Sequence, residues 1–288
     1  MTVKEAAAVV TAYEDTNNRA NARRDAKLLA SVEAGQLNVQ SQADYEQFRT
    51  WPKKKQAYYG SGFRYTHREY LIPRKGAASW FAVRATASGA QAGSASLLVF
   101  DQVGGAFKLV LAVYAEKTPL PRVAVDKNGF VTPADPGERV GSLAPAELGA
   151  AFEDLVETGG KKSGAELAST PVVKDAVKLY ADRDRRDNSR YATNRFFAKP
   201  AKDPSVYALR LAGGGVLVAF PSAHTLETML RPAYRSSYKI NPDTEEAVYN
   251  REGRVVITDE FQGQALATLS PSGKARVLAR EYRMVDSR

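Results

Sequence analysis

The chain of 288 residues has no cysteine and only two histidines, His67 and His224. The first absence removes disulfides, thiol catalysis and cysteine-ligated zinc or iron–sulfur centres, and the second leaves too few imidazoles for a multi-histidine metal site. No HExxH, GxSxG or GxGxxG occurs, and the glycine clusters in GSGFRY and RLAGGGVLV lack the Gly-Lys-Ser/Thr ending of a phosphate cradle, so they read as turns. No cofactor and no metal are expected. Apolar runs are also short: Leu109 to Ala115 is strand-sized, whereas a membrane-spanning helix needs ~20 residues. The opening MTVKEAAAVV lacks the charged start, apolar stretch and small-residue cleavage site of a signal peptide and reads as a helix start.

What remains is an ordinary folding composition, 44% hydrophobic and 25% charged. The net charge of +9 is uneven. Residues 1–160 carry 19 basic and 17 acidic residues, +2, whereas residues 161–288 carry 22 and 15, +7. Such an excess suits contact with something anionic, although charge also serves solubility.

Patterning predicts an α+β chain of two tandem modules, each with helices packed on a curved antiparallel sheet, divided as 1–160 and 161–288. Thr2 and Glu5 have capping-box spacing, and Ala6, Val9, Val10 and Tyr13 follow at helical period. A second helix carries Leu28, Leu29 and Val32 to a stop at Gly35, and a third runs from Ser41 to Trp51, ended by Pro52. Strands are then expected at 63–72, 79–86, 96–102 and 107–115, the last two joined through Gly104 and Gly105. A short strand at 122–125 and a helix after Pro145, with Leu148, Phe152 and Leu155 on one face, complete the first module. Residues 159–170, rich in Gly, Lys and Ser, read as a linker. Thr170 and Pro171 restart a helix, and strands follow at 206–211, 216–220, 254–269 and 274–284, with Gly213 to Gly215 at one of the turns.

The order of three helices and then long antiparallel strands ending in FDQVGGAFKLVLAVYA resembles the cone-shaped nuclear-transport-factor-like and cystatin-like superfamily. The stretches AYEDTNNRANARRD and VYALRLAGGGVLVAF are similar to ones found in a family of actinomycete cell-envelope lipoproteins. The resemblance implies an extracytoplasmic, membrane-tethered protein whose lipidated leader has been removed; without such a leader the expectation is cytoplasmic.

Few residues offer chemistry. Strand parity puts His67 and Glu69 on one face with Phe63 and Tyr65, a candidate acid/base pair set against the reading of a hydrogen-bonded structural histidine. Trp51, Lys53 to Lys55, Tyr58, Tyr59 and Phe63 to Tyr65 interleave aromatic and basic groups as single-strand nucleic-acid platforms do, but a lysine turn followed by core aromatics accounts for them as well. In ADRDRRDNSR, Asp182 and Arg186 have the i,i+4 spacing of an internal pair. Arg190, Arg195, Arg231 and Arg235 are the candidate contacts for an anionic surface.

Three functions stay open: a non-enzymatic binding or scaffold protein of the bacterial envelope, contacting an anionic surface, an anionic polymer or another envelope protein; a small-molecule enzyme or carrier using the concave face of the first module; and a nucleic-acid binder, the least favoured because the first module is nearly neutral.

Overall fold

A computed structural model describes residues 1–116 and 118–288. The N-terminal half is α1 (Val3–Arg23), α2 (Ala26–Ala30), α3 (Gly35–Gln47) and α4 (Lys53–Gly60), then β1 (Tyr65–Leu71), β2 (Trp80–Ala87), β3 (Ala95–Val103) and β4 (Ala106–Ala115). The rest comprises α5 (Leu148–Glu157), α6 (Pro171–Asp182), β5 (Ala192–Lys199), β6 (Tyr207–Arg210), β7 (Val216–Leu230), α7 (Glu246–Tyr249), β8 (Val256–Leu269) and β9 (Arg276–Ser287). The class is α+β with two antiparallel sheets, β1-β2-β3-β4 and β5-β7-β8-β9, β6 pairing with β7 beside β5.

Local chemistry sets the ends of these elements. Thr2 and Glu5 form the reciprocal capping box, and the Thr170 side chain accepts from the Val173 N–H ahead of Pro171. Gly104 and Gly105 both take positive φ in the β3–β4 turn, as the sequence predicts. Gly35 also has positive φ, yet it opens α3 rather than stopping α2, so the third helix begins six residues before Ser41. Lys53 to Lys55, read from sequence as a turn, start α4.

The strands' two-residue period then decides the layering. Leu98, Phe100, Leu109 and Ala112 join Ala6, Val10 and Tyr13 of α1 in one cluster, while the alternate residues Leu97, Val99, Leu111 and Val113 face the second sheet. That sheet answers with Leu209, Leu217, Ala219, Leu266 and Ala279, and its far face, through Val216, Val218, Phe220, Ala265 and Val277, packs on α5 and α6. The order is therefore helix, sheet, sheet, helices, with an apolar layer between the two sheets.

β7 is longer than sequence reading allowed because it runs through Pro221. It pairs with β6 over Val216–Ala219 and with β5 over Ala223–Leu230, and Pro221, which has no N–H to give, falls in the gap between those partners. The stretch 159–170 is an ordered turn, not a loose linker: Asp154 Oδ2 accepts from the backbone N–H of Lys162 at 2.8 Å and of Gly164 at 2.9 Å, and Gly164 is buried. α5, placed by sequence in the first module, packs on the second sheet.

Candidate functional site

α3 crosses from the first half to the second on an unusual seam. Its inward face is Gln36, Gln40, Ala43, Asp44 and Gln47, and the amides are satisfied by the second sheet. Gln36 Nε2 donates to Gln262 Oε1 at 2.9 Å and to the Gly263 carbonyl at 3.0 Å, Gln40 to the Gln262 carbonyl at 2.8 Å, and Gln47 to the Met284 carbonyl at 2.7 Å. Buried amides keep such a contact only while each finds a partner, so they hold the helix in a fixed register over β8 and β9.

Beyond the seam the helices and sheet diverge around a cavity of about 1210 Å³. Its floor is one face of the sheet: Leu226, Thr228 and Leu230 from β7, Ile257, Asp259 and Phe261 from β8, and Tyr282 and Met284 from β9. One wall is Asp44, Gln47, Trp51 and Lys55; another is Arg186, Asn188, Arg190 and Tyr191, which precede β5. The segment between β7 and β8 adds Tyr234, Tyr238, Lys239, Ile240 and α7. This strap is tied by backbone pairing of Ile240 with Arg254 and by a hydrogen bond from Gln47 to the Tyr249 hydroxyl, 2.9 Å.

Charges of the two signs are held differently. Asp243 Oδ1 accepts from the N–H groups of Glu245 and Glu246 at 2.8 Å, and Glu246 returns a bond to the Asp243 N–H at 2.7 Å, so both cap the first turn of α7. Asp259 accepts from the Ser287 hydroxyl at 2.7 Å. Burial, with the charges of Asp259 and Asp243, lifts Glu246 to about 7, and burial raises Asp259 as well. Asp44 is paired with Arg283 at 2.9 Å. Lys55, Arg186, Arg190 and Lys239, by contrast, have no carboxylate within 4.0 Å among the described residues. Lys55 instead lies 3.7 Å from the Trp51 ring centroid, and Arg186 5.7 Å from that of Phe196.

Of the residues singled out in sequence, Arg190 reaches this cavity and Arg195 is exposed on β5. Arg231 and Arg235 are engaged by backbone, Arg231 Nη2 donating to the Ser189 carbonyl at 3.0 Å and Arg235 Nε to the Leu230 carbonyl at 2.8 Å. Asp182 pairs with Lys178 and, at 3.7 Å, with Arg185, which leaves Arg186 free for the cavity because α6 ends at Asp182. His67 and Glu69 do not share the face of Tyr65. A bulge between Thr66 and Glu69 puts His67 at φ 50° and in solvent, Glu69 is exposed and 3.2 Å from Arg84, and Tyr65 is buried. The aromatic residues of 51–65 mostly pack on one another: Trp51, Phe48 and Tyr59 form one group, Phe63 and Tyr65 another, and Tyr58 alone is widely exposed.

Sequence reading passed over the second histidine. His224 Nδ1 lies 2.8 Å from Glu153 Oε2, the Tyr282 hydroxyl donates to the other oxygen of Glu153, and Ser222 lies 2.8 Å from that hydroxyl. The imidazole is stacked on Phe261, 5.1 Å between centroids, and lies beside the cavity floor on the same face of the sheet. A carboxylate at position 153, within the apolar stretch of α5, was the one available signal.

A family profile described as "Domain of unknown function (DUF8094)" matches residues 1–288. The chain belongs to this family. A Streptomyces coelicolor protein described as an uncharacterized lipoprotein is 28% identical over 277 residues, which span 93% of this DUF8094 chain and 77% of the relative. No solved structure matches the chain. Among the described residues, no helix is long and apolar enough to cross a membrane.

Proposed function

We propose that this DUF8094 chain is a non-enzymatic binding protein of the bacterial cell envelope, tethered outside the membrane through a lipidated leader, and that its binding face is the mouth of the cavity. The tether is supported by the lipoprotein relative, which aligns along nearly the whole chain. The N-terminal half, with helices leading into a four-stranded antiparallel meander, is read as a nuclear-transport-factor-like module serving as a wall of the site.

One observation carries the binding reading: the cations at the mouth lack carboxylate partners, while four of the five acids beside them, Asp44, Asp243, Glu246 and Asp259, are occupied by backbone N–H groups, a hydroxyl or Arg283, Glu245 being the exception. Unpaired exposed charge attracts a partner of opposite sign and is screened over about 8 Å at physiological ionic strength. The face therefore suits an anionic surface; Arg195, opposite Glu227 on the other face of β5, lies outside it. Flotation with phosphatidylglycerol vesicles at low and at physiological salt tests this. Retention at low salt that drops at least fivefold with salt, and is lost in the charge reversals Arg190→Glu and Lys239→Glu, is the expected result. Absence of retention at low salt, or retention indifferent to both reversals, would reject the anionic-surface reading.

A further inference from the structure

The basic and aromatic stretch at 51–59 adjoins the cavity and enters its lining only at Trp51 and Lys55. α4 buries no residue of its own, and Tyr58 is 70% exposed. A helix with so little dry surface is held by few contacts of the fold. Tyr59 supplies one, packing edge-on against Trp51 and Phe48 at 5.2 and 6.1 Å between centroids. The same rings bring the end of α1 to α4. The Arg24 guanidinium lies 4.4 Å from the Phe48 ring centroid and Lys55 Nζ 3.7 Å from that of Trp51, the two rings being 5.8 Å apart. Tyr45 donates to Asn21 Oδ1 at 2.8 Å and Gln42 to the Ala26 carbonyl at 3.2 Å, which ties α2 and α3 to the same end. Over residues 21–60 this end exposes seven basic side chains, Arg23, Arg24, Lys27, Arg49 and Lys53 to Lys55, none within 4.0 Å of a carboxylate among the described residues. It exposes two acidic ones, Asp25 and Glu46, and Asp25 accepts from the Leu28 N–H at 2.9 Å. The other acids of the stretch, Glu33 and Asp44, are buried, and Asp44 is paired with Arg283.

We infer that α4 and the adjoining end of α1 rest on an anionic bilayer, the basic side chains against acidic headgroups and Tyr58 entering the interface. The inference rests on the envelope reading, in which the chain lies beside a membrane, and adds a contact outside the cavity. Lys55 belongs to both, so the helical end is continuous with the mouth. Lys and Arg hold their charged heads at headgroup depth on apolar stems, and a tyrosine ring suits the same level. Each cation near an anionic leaflet strengthens attachment about fivefold. A single strand of nucleic acid offers the same charge but gains its affinity from bases stacked on open rings. Here Trp51 and Phe48 are buried, and Lys55 and Arg24 lie over them. Tyr58 is the one widely exposed ring of the group, too little for a run of stacked bases and enough for an interfacial anchor.

Because the chain has no cysteine, a single introduced thiol can report position in the intact protein. Ala57→Cys, beside Tyr58 and exposed, carries a polarity-sensitive fluorophore; Val125→Cys, exposed in the segment after β4, is the control position. Each is mixed at low salt with vesicles of phosphatidylcholine alone or with phosphatidylglycerol added. The fluorophore at 57 is expected to brighten only with phosphatidylglycerol, and that at 125 with neither. In the unlabelled chain, Lys53→Glu with Lys54→Glu should weaken vesicle retention at least tenfold, and Lys53→Gln with Lys54→Gln should weaken it less. Acidic residues in a first turn favour a helix, so the reversal leaves α4 folded and circular dichroism unchanged. Retention of the parent with the fluorophore at 57 unmoved, or with equal brightening at 125, would overturn the inference, as would retention indifferent to the lysine reversals. Loss of retention in Arg190→Glu with Lys239→Glu would then still uphold the mouth as the binding face, so the two readings fail separately. Absence of parent retention at low salt would reject both. Binding of poly(dT) tighter than binding to vesicles would give this end to nucleic acid and overturn the inference.

Discussion

Gly263 on β8 sits opposite Tyr282 on β9, and a Cβ at Gly263 would come within 2.3 Å of the tyrosine ring. The ring has no freedom to retreat, because its hydroxyl is held by Glu153 and Ser222 on the other side of the sheet contact. Gly263→Ala is therefore expected to destabilise the fold by about 1–3 kcal/mol through overpacking, with displacement of Tyr282 at the cavity floor. Urea unfolding checks it. A neutral result would mean that the ring swings aside, and the second variant Gly263→Ala/Tyr282→Leu would then show no recovery.

Glu33 supplies a pH test. It is buried between the N-terminal helices, where Tyr13 and Asn17 both donate to Oε1 while Oε2 has no partner, and burial raises its carboxyl to about 7. The folded state holds this proton more tightly than the unfolded state, whose carboxyl titrates near 4.5. Its contribution is full below pH 4.5 and is lost as pH rises to 7. Glu33→Gln, which cannot ionise, should be more stable than the parent at pH 8 by on the order of 1–3 kcal/mol, with the difference shrinking by pH 5. Melting temperatures at the two pH values measure this; a difference independent of pH would show that Glu33 is not the titrating group.

Asp154 fastens the 159–170 turn through Lys162 and Gly164. Brief proteolysis of the parent should spare this stretch despite its Gly, Lys and Ser content. Asp154→Ala removes the acceptor from two N–H groups, should cost about 1–3 kcal/mol, and should open a cleavage site at Lys161 or Lys162. Cleavage of the parent at an equal rate would show the clasp to be broken in solution.

Leu217 contributes from β7 to the apolar layer between the sheets and is 1% exposed. Leu217→Ala should cost about 2–5 kcal/mol. Both tryptophans, Trp51 and Trp80, precede residue 160, and Trp80 lies 5.3 Å from the Tyr207 ring, so their fluorescence reports on the first half and on its contact with the second sheet. The expected outcome is that fluorescence and circular dichroism shift together in urea. Two separated transitions, with only the later-melting or earlier-melting half moved, would mean that the sheets unfold independently.

Nearest-neighbour rules made much of the fold legible. The Thr2 cap, the Thr170–Pro171 start, the glycine turn at 104–105 and the alternating strands around it are determined within four or five residues of chain, so sequence reading placed them. β5 was missed because ATNRFFAK has no clean alternation, and β7 was cut short because a proline usually ends a central strand. Pro221 escapes that rule only through a gap between two partner strands that no local pattern records.

The candidate site was less legible for the same reason. Strand parity joined His67 to Glu69, and a single bulge undid it; His224 and Glu153, 71 positions apart, meet only because α5 packs on β7. Gln36, Gln40 and Gln47 look like a solvated helix face, since an amide is buried at no loss only when a distant backbone supplies its partner. The sequence by itself determined the α+β class, the lack of cysteine chemistry and the basic second half. Tertiary structure alone decided which charges stay unpaired and where the cavity lies, because pairing and enclosure depend on contacts between residues remote in the chain.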